Sequence, residues 1–165
     1  MSLKRAFDPV VDARTRLLIL GSLPGDASLK AGQYYGHPQN GFWRLVGGAV
    51  GLDLVALPYP ERLEALNEAG VGLWDVIARA IRPGSLDAAI RDAEAADLNL
   101  LVGRLPHLGA VAFNGGTAAR IGRRTLGSAQ GLSLIDLPSS SSAHTRSFES
   151  KAEAWNALKP FVARP

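Results

Sequence analysis

The stretch from Leu17 to Trp43 reads LLILGSLPGDASLKAGQYYGHPQNGFW, and it decides the fold. Leu17 to Leu20 is a short apolar run ended by glycine, the pattern of a strand buried on both faces. Gly21-Ser22-Leu23-Pro24-Gly25 cannot continue a sheet, because Pro24 has no N–H to give to a ladder. Tyr34, Tyr35, His37, Pro38 and Asn40 follow, and Gly41-Phe42-Trp43 leads into a helix-like segment. In α/β folds, ligands bind in loops at the carboxyl ends of parallel strands. This loop is rich in aromatic faces and uncharged polar groups. Such a lining suits an uncharged flat ligand better than a phosphate or a metal.

Working outward, the same alternation of strand and helix recurs. Asn40 is placed to cap a helix over 41–51, with Phe42, Leu45, Val46 and Val50 facing inward. Pro60-Glu61 opens a helix carrying Leu63 and Leu66, and Gly70 lies just past its end. Val71 to Trp74 reads as a second strand with Asp75 at its end. Ile77 to Ile81 continues as strand or turn, Pro83-Gly84-Ser85 is a turn, and Ser85 is a plausible cap for a helix over 86–92. Further helices are expected over 94–105, 117–123 and 147–159. Strands are expected over 109–113 and 132–137. The last helix puts Phe148, Ala152, Trp155 and Leu158 on one stripe, with Ser147 near its cap. Met1-Ser2-Leu3 carry no weight. Alternating strands and helices predict parallel pairing, hence an α/β, three-layer α/β/α sandwich around a mainly parallel four-stranded sheet. No repeat and no long linker divides the chain, so residues 1–165 are expected to form one domain.

Composition narrows the class. Apolar residues make up 47% and charged residues 20% of 165, ordinary for a folded soluble domain. The absence of cysteine excludes disulfides, thiolate nucleophiles and Cys-ligated zinc. Lys4, Arg5, Asp8 and Asp12 leave no apolar core for a secretory signal, and no run reaches the roughly 20 residues of a membrane span. A cytoplasmic protein without membrane contact is the expectation. The net charge of +3 and pI near 9.6 permit nucleic-acid binding without proving it. Arg79, Arg82, Arg104, Arg120, Arg123, Arg124 and Arg146 contribute to that charge.

The strand-end loops gather Ser22 to Asn40, Asp75, Asn114 to Thr117, and Ser139 to His144 on one edge of the sheet. Several chemistries lack their signatures there. The chain has no GxxxxGK[ST] and no GxGxxG. His37, His107 and His144 lack metal-ligand spacing, and no G-x-S-x-G elbow is present.

GSLPG, YYGHPQNGFW, GLWD, and LPSSSSAHT with the SFESKAEAW helix together resemble the uracil-DNA glycosylase superfamily, most of all its hypoxanthine-DNA glycosylase (DNA-deoxyinosine glycosylase) branch. The resemblance runs from Leu17 to Trp155, and YYGHPQNGFW is its specific part. It implies the same sandwich and a monofunctional, cofactor-free and metal-free hydrolysis of the N-glycosidic bond of a deaminated base in DNA. Hypoxanthine is the expected base, with uracil a second, and the product is an abasic site for base excision repair. A base stacked in a duplex is flipped into a pocket by such enzymes. The chain is expected to act as a monomer. The resemblance also implies residue roles. Leu23 stands where many members carry a water-orienting Asn or Asp, and the hypoxanthine branch assigns that task to the residue matching Asn40. Tyr35 matches the aromatic on which the base stacks. Asp75 matches an Asn that reads the base edge. Gly21, Ser22, Leu23, Pro24 and Asn114 complete the base site, and main-chain N–H groups of Gly21–Gly25 would face the charge that develops on the base. Ser139, Ser140, Ser141, Ser142, His144 and Arg146 match the DNA-contacting loop.

Blander readings stand beside these. Asn40 could be only a helix cap. One of the adjacent tyrosines should be core, since neighbours on an extended stretch face opposite ways, and Tyr34 is the choice for packing. His37 reads as a hydrogen-bonded structural histidine and Asn114-Gly115-Gly116 as a turn. The loss of a water-activating side chain at Leu23 leaves open a non-catalytic nucleic-acid or nucleobase-binding module on the same fold. A nucleoside hydrolase is a third, weaker reading, since no acidic cluster for calcium is present.

Overall fold

The computed structural model describes residues 3–127 and 131–162. Four parallel strands form its centre: β2 (Leu17–Gly21), β3 (Val71–Asp75), β6 (Ala110–Asn114) and β7 (Ser133–Leu137), in the spatial order β3-β2-β6-β7. β2, β3 and β6 are buried almost throughout, which is why their sequences are continuous apolar runs rather than alternating ones. Leu17, Ile19, Val71, Leu73, Ala110 and Ala112 face one layer, which holds Phe42, Leu45, Val46, Leu66, Trp155 and Leu158. Leu18, Leu20, Val111 and Phe113 face the other, with Leu98, Leu101, Ala118 and Leu126. The helices are α1 (Asp26–Ala31), α2 (Phe42–Val50), α3 (Tyr59–Glu68), α4 (Leu98–Gly103), α5 (Gly116–Leu126) and α6 (Phe148–Trp155). The three-layer α/β/α sandwich follows from these two faces. Among the described residues no helix is long and apolar enough to cross a membrane.

The chain leaves β2 toward β3 on one side and later returns to pair β6 on the other. That reversal opens a crevice at the carboxyl ends of β2 and β6. The loops after these strands, residues 22–40 and Gly115, therefore start at the same place.

Three expectations are corrected. A second, antiparallel sheet exists, with β1 (Leu3–Arg5), β4 (Ile77–Ile81) and β5 (Arg91–Ala95) in the order β1-β4-β5. Leu3 thus has a structural part, while Met1 and Ser2 lie outside the described residues. The helix expected over 86–92 is a single 3-10 turn, Asp87–Ala89, leading into β5. Arg91-Asp92-Ala93-Glu94-Ala95 has helix-forming residues, but pairing to β4 and an ion pair from Arg79 to Glu94 override that preference. The helix expected over 94–105 is confined to α4, capped by Asp97, whose Oδ1 accepts from Leu100 N–H at 3.1 Å.

Smaller differences lie at helix ends. The expected last helix divides into α6 and a 3-10 segment, Asn156–Phe161, containing Pro160. Ser147 caps α6 by accepting from Ser150 N–H at 3.2 Å. α1 lies within the stretch read as loop.

Candidate active site

A cavity of about 470 Å³ opens at the carboxyl edge of the parallel sheet. That is within the roughly 300–1,000 Å³ typical of small-molecule sites. Gly21, Ser22, Leu23, Pro24, Tyr35, Asn40, Asp75 and Asn114 line it, and so do Ser139, Ser140, Ser141, Ser142 and His144. Of the residues singled out from the sequence, Arg146 alone does not. It is exposed and turned to its own helix, with Nε donating to Ser150 Oγ at 2.5 Å.

The floor is built on Gly21. It pairs with Asp75 in the parallel ladder, and a Cβ placed on it would lie 2.7 Å from Asp75 Oδ1 and 2.8 Å from Tyr35 Oη. Only a bare Cα lets the carboxyl and the phenol approach the strand end together. Both groups are buried and incompletely paired: Asp75 Oδ2 and Tyr35 Oη have no hydrogen-bond partner among the described residues. Buried polar atoms without partners are uncommon and call for a reason.

Burial chiefly, with the nearby Asp87 carboxylate adding and the Arg82 guanidinium opposing, pushes the Asp75 carboxyl up to about 7. Burial, and then Asp75, also push the Tyr35 phenol above its ordinary value, the Asn114 amide acting the other way. A consequence for stability follows. In the unfolded chain Asp75 loses its proton near 3.8, whereas in the folded chain it keeps it to about 7. Between those values the folded state binds more protons, so Asp75 makes the protein less stable as pH rises, by roughly 4 kcal/mol in full. Urea midpoints at pH 4.5 and 8 are expected to fall more for the wild type than for Asp75→Asn. Equal falls would show that Asp75 ionises normally.

Tyr35 takes its place through an unusual backbone, with φ of 54° in the left-handed region. The stretch is a turn and not extended, so Tyr34 and Tyr35 do not face opposite ways; their ring centres lie 6.2 Å apart. Tyr34 is core, 4% exposed, donating from its hydroxyl to Asp8 O at 3.0 Å. The Tyr35 ring stacks on Phe42 with centroids 3.8 Å apart and planes 14° from parallel. Phe42 is fully buried at the start of α2, so the aromatic pair is held from the core side.

Asn40 precedes α2. Its Oδ1 accepts from Phe42 N–H at 3.0 Å, and its own N–H donates to His37 O at 3.0 Å. Asn40 is not the N-cap expected from the sequence: Gly41 holds that position, no side chain caps α2, and the Asn40 amide instead closes a turn onto the first helical N–H. An amide oxygen has a second lone pair and the NH2 two donors, so this bond does not exhaust the side chain. His37 is exposed, with Nδ1 accepting from Gln39 N–H at 3.1 Å, which fits a structural histidine.

Two assignments change in character. Asn114 donates to Ser140 Oγ at 2.9 Å and accepts from Ser140 N–H at 2.9 Å. Ser140 is 3% exposed, and its carbonyl accepts from Gly41 N–H at 3.0 Å. Ser140 is therefore a buried joint between β6, the serine loop and the Asn40 turn, and not an exposed DNA contact. Asn114 spends its amide oxygen and one N–H on that joint. Leu23 is 6% exposed and packs its side chain with Leu20, Val76 and Ile77, so it adds nothing polar to the site.

The structure adds two cations that sequence reading passed over. Arg82, named from the sequence only as a contributor to the positive charge, is completely buried. Its guanidinium donates to Leu23 O at 3.3 Å, to Pro24 O, and through Nε to Gly84 O at 2.8 Å. Ser85 Oγ, expected to start a helix of its own, instead accepts from Asp26 N–H at 2.8 Å at the head of α1. Ser22 Oγ donates to Asp87 Oδ1 at 2.7 Å. The turn between β4 and β5 is thus what shapes the Gly21–Gly25 loop. On the opposite rim Lys151 of α6, 6% exposed, donates to Ser141 O at 3.0 Å and His144 O at 2.9 Å. Burial, helped by Arg146, lowers its pKa. The only sequence signal for Lys151 was its place on the apolar side of an amphipathic helix.

Residues 9–159 match the family model described as Uracil DNA glycosylase superfamily. The chain belongs to the uracil DNA glycosylase superfamily. Among its relatives, a hypoxanthine DNA glycosylase of Methanosarcina barkeri is 43% identical over 92% of this chain and 95% of its own length. A hypoxanthine DNA glycosylase of Methanosarcina acetivorans is 41% identical over 94% of this chain and 98% of its own. A solution NMR structure of a candidate uracil DNA glycosylase from Methanosarcina acetivorans superposes with a TM-score of 0.85 at 40% identity, covering 96% of this chain and 97% of that one. The glycosylase-superfamily fold and the placement of its motifs on strand ends thus agree with the resemblance read from GSLPG, YYGHPQNGFW and LPSSSSAHT.

Proposed function

We propose that this chain is a monofunctional DNA glycosylase that releases hypoxanthine, and secondarily uracil, from DNA by hydrolysis of the N-glycosidic bond, acting as a monomer at the start of base excision repair. One observation supports this reading above the others. The cavity is lined together by Tyr35, whose ring is stacked on Phe42, and by the polar side chains of Asp75 and Asn114 at the strand ends. A flat heterocycle with N–H and carbonyl groups on its edge satisfies both requirements. A phosphate does not, because the polar floor is a carboxyl group.

In this reading Tyr35 stacks the flipped base, a contact worth about 1–3 kcal/mol. Asp75 meets the base edge: ionised it accepts from a base N–H, and protonated it also donates. Asn40, at the cavity wall, orients the attacking water through an amide group rather than removing a proton from it. Gly21, Ser22 and Pro24 supply main chain beside the leaving base, while Ser139, Ser141, Ser142 and His144 present the exposed rim to the phosphate backbone. Arg146 lies beyond the cavity, where it would meet DNA backbone and not the base.

Oligonucleotides carrying one deoxyinosine or one deoxyuridine, incubated with the protein and then with alkali, are expected to break at that position, faster for deoxyinosine. Intact strands for both, with folded protein, would refute the proposal.

A further inference from the structure

A departing purine differs from a departing pyrimidine in what it needs. Expelled as an anion, hypoxanthine carries charge on its imidazole ring, and a proton delivered to a ring nitrogen other than N9 removes that charge. The question is which group could deliver it. His37 and His144 are exposed at the mouth of the cavity, and His37 already takes Gln39 N–H on Nδ1. Asp87 is exposed and holds Ser22 Oγ. Tyr35 is a phenol made less acidic by burial. Asp75 differs from all of them. It sits at the end of a central strand among the residues that line the cavity, is 4% exposed, and has Oδ2 buried without a partner among the described residues. The bare Cα of Gly21 leaves room beside the other carboxyl oxygen, Oδ1, which a Cβ there would meet at 2.7 Å.

We infer that Asp75 is the general acid of the reaction, giving its carboxyl proton to N7 or N3 of the departing purine; this rests on the glycosylase reading above. In the step the C1′–N9 bond breaks with its electron pair on the base. The Asp75 O–H bond breaks, and its proton goes to the ring nitrogen, so the base leaves neutral. A water oxygen bonds to C1′, and the proton it sheds returns through solvent to the Asp75 carboxylate. Atoms and charge balance as one water consumed, one abasic sugar and one free base formed.

The surroundings keep the acid protonated at working pH. Charged and titratable groups face it from each side: Asp87 beyond β4, Tyr35 and Tyr34 from the loop after β2, and Arg82 at the end of β4. Burial and Asp87 outweigh Arg82, holding Asp75 near 7, the region where a general acid both retains and releases its proton efficiently.

Single-turnover release from a duplex containing deoxyinosine, measured from pH 5.5 to 9, tests it. The wild-type rate is expected to be flat in acid and to fall about tenfold per pH unit above an apparent pKa near 7. Asp75→Asn is expected to be slower by about 100-fold and to lose that alkaline limb, with half-saturating protein concentration changed much less. Duplexes containing 7-deaza- or 3-deaza-deoxyinosine locate the acceptor. On one of them wild type should drop to the rate of Asp75→Asn, and the variant should drop no further. An Asp75→Asn enzyme that keeps the wild-type rate and pH limb overturns the inference. So does an equal fold-loss from Asp75→Asn on deoxyinosine and on both deaza substrates, which would make Asp75 a binding group only. Failure of the wild type to release hypoxanthine at any pH overturns the glycosylase reading itself, a separate result. Thermal melting of Asp75→Asn shows whether the variant is folded.

Discussion

Asn40→Ala is expected to slow single-turnover base release by about 100-fold or more, while affinity for deoxyinosine-containing DNA changes little. The size follows from what an amide can do here. It cannot take a proton from water, so it contributes by placing the water, and loss of placement alone can remove two orders of magnitude. The side chain also accepts from Phe42 N–H in the turn that leads into α2, and losing a hydrogen bond of this kind costs about 1 kcal/mol. The two effects separate experimentally. Asn40→Ser retains an oxygen able to accept from Phe42 N–H but is too short to hold a water in the same place. It should be nearly as stable as wild type and nearly as slow as Asn40→Ala. Asn40→Asp keeps both an acceptor for Phe42 N–H and a water ligand, and should recover much of the rate. Should the alanine variant release base at the wild-type rate, Asn40 only closes the turn before α2 and the water is positioned from elsewhere.

The central sheet was legible because its chemistry is local. Leu17–Leu20, Val71–Trp74 and Ala110–Phe113 are apolar on both faces, and each ends in glycine or a polar residue where a loop must start. The cavity was legible for the same reason: its chemistry-bearing residues lie next to strand ends. The second sheet was not. β5 is exposed along its whole length, so no burial pattern marks it, and its alanines and charges favour helix in isolation. What makes it a strand is β4 beside it. Tyr35 was found by motif, but its left-handed backbone was not, since a tyrosine with positive φ has no signature in sequence. Ser140 and Ser142 look alike in a run of four serines. Only the Asn114 amide, 26 positions away, buries one of them.

Arg82 is the plainest case of a charge whose role is invisible until the fold is known, and its removal has the second large effect. Arg82→Met is expected to destabilise the protein by about 3 kcal/mol or more. The carbonyls of the buried residues Leu23 and Pro24 lose the guanidinium, while Gly84 O, in an exposed residue, keeps Lys4 Nζ at 3.5 Å, and each buried acceptor left unsatisfied costs roughly 1–3 kcal/mol. Relaxation of the loop toward water recovers part of that sum. The Gly21–Gly25 loop then loses the clamp that joins it to the β4–β5 turn, leaving Ser22–Asp87 and Asp26–Ser85 to hold it. Amide exchange over residues 22–26 should quicken far more than exchange in β6. Base release should slow as well, because main chain beside the leaving base is no longer fixed. Arg82→Lys is not a conservative change at this site: a lysine offers one ammonium where a planar fork meets carbonyls in three directions, so it should fall between methionine and wild type. A methionine variant with an unchanged urea midpoint and unchanged exchange over 22–26 would mean that the guanidinium only fills space. The loop would then be shaped by Pro24 and the neighbouring strands alone.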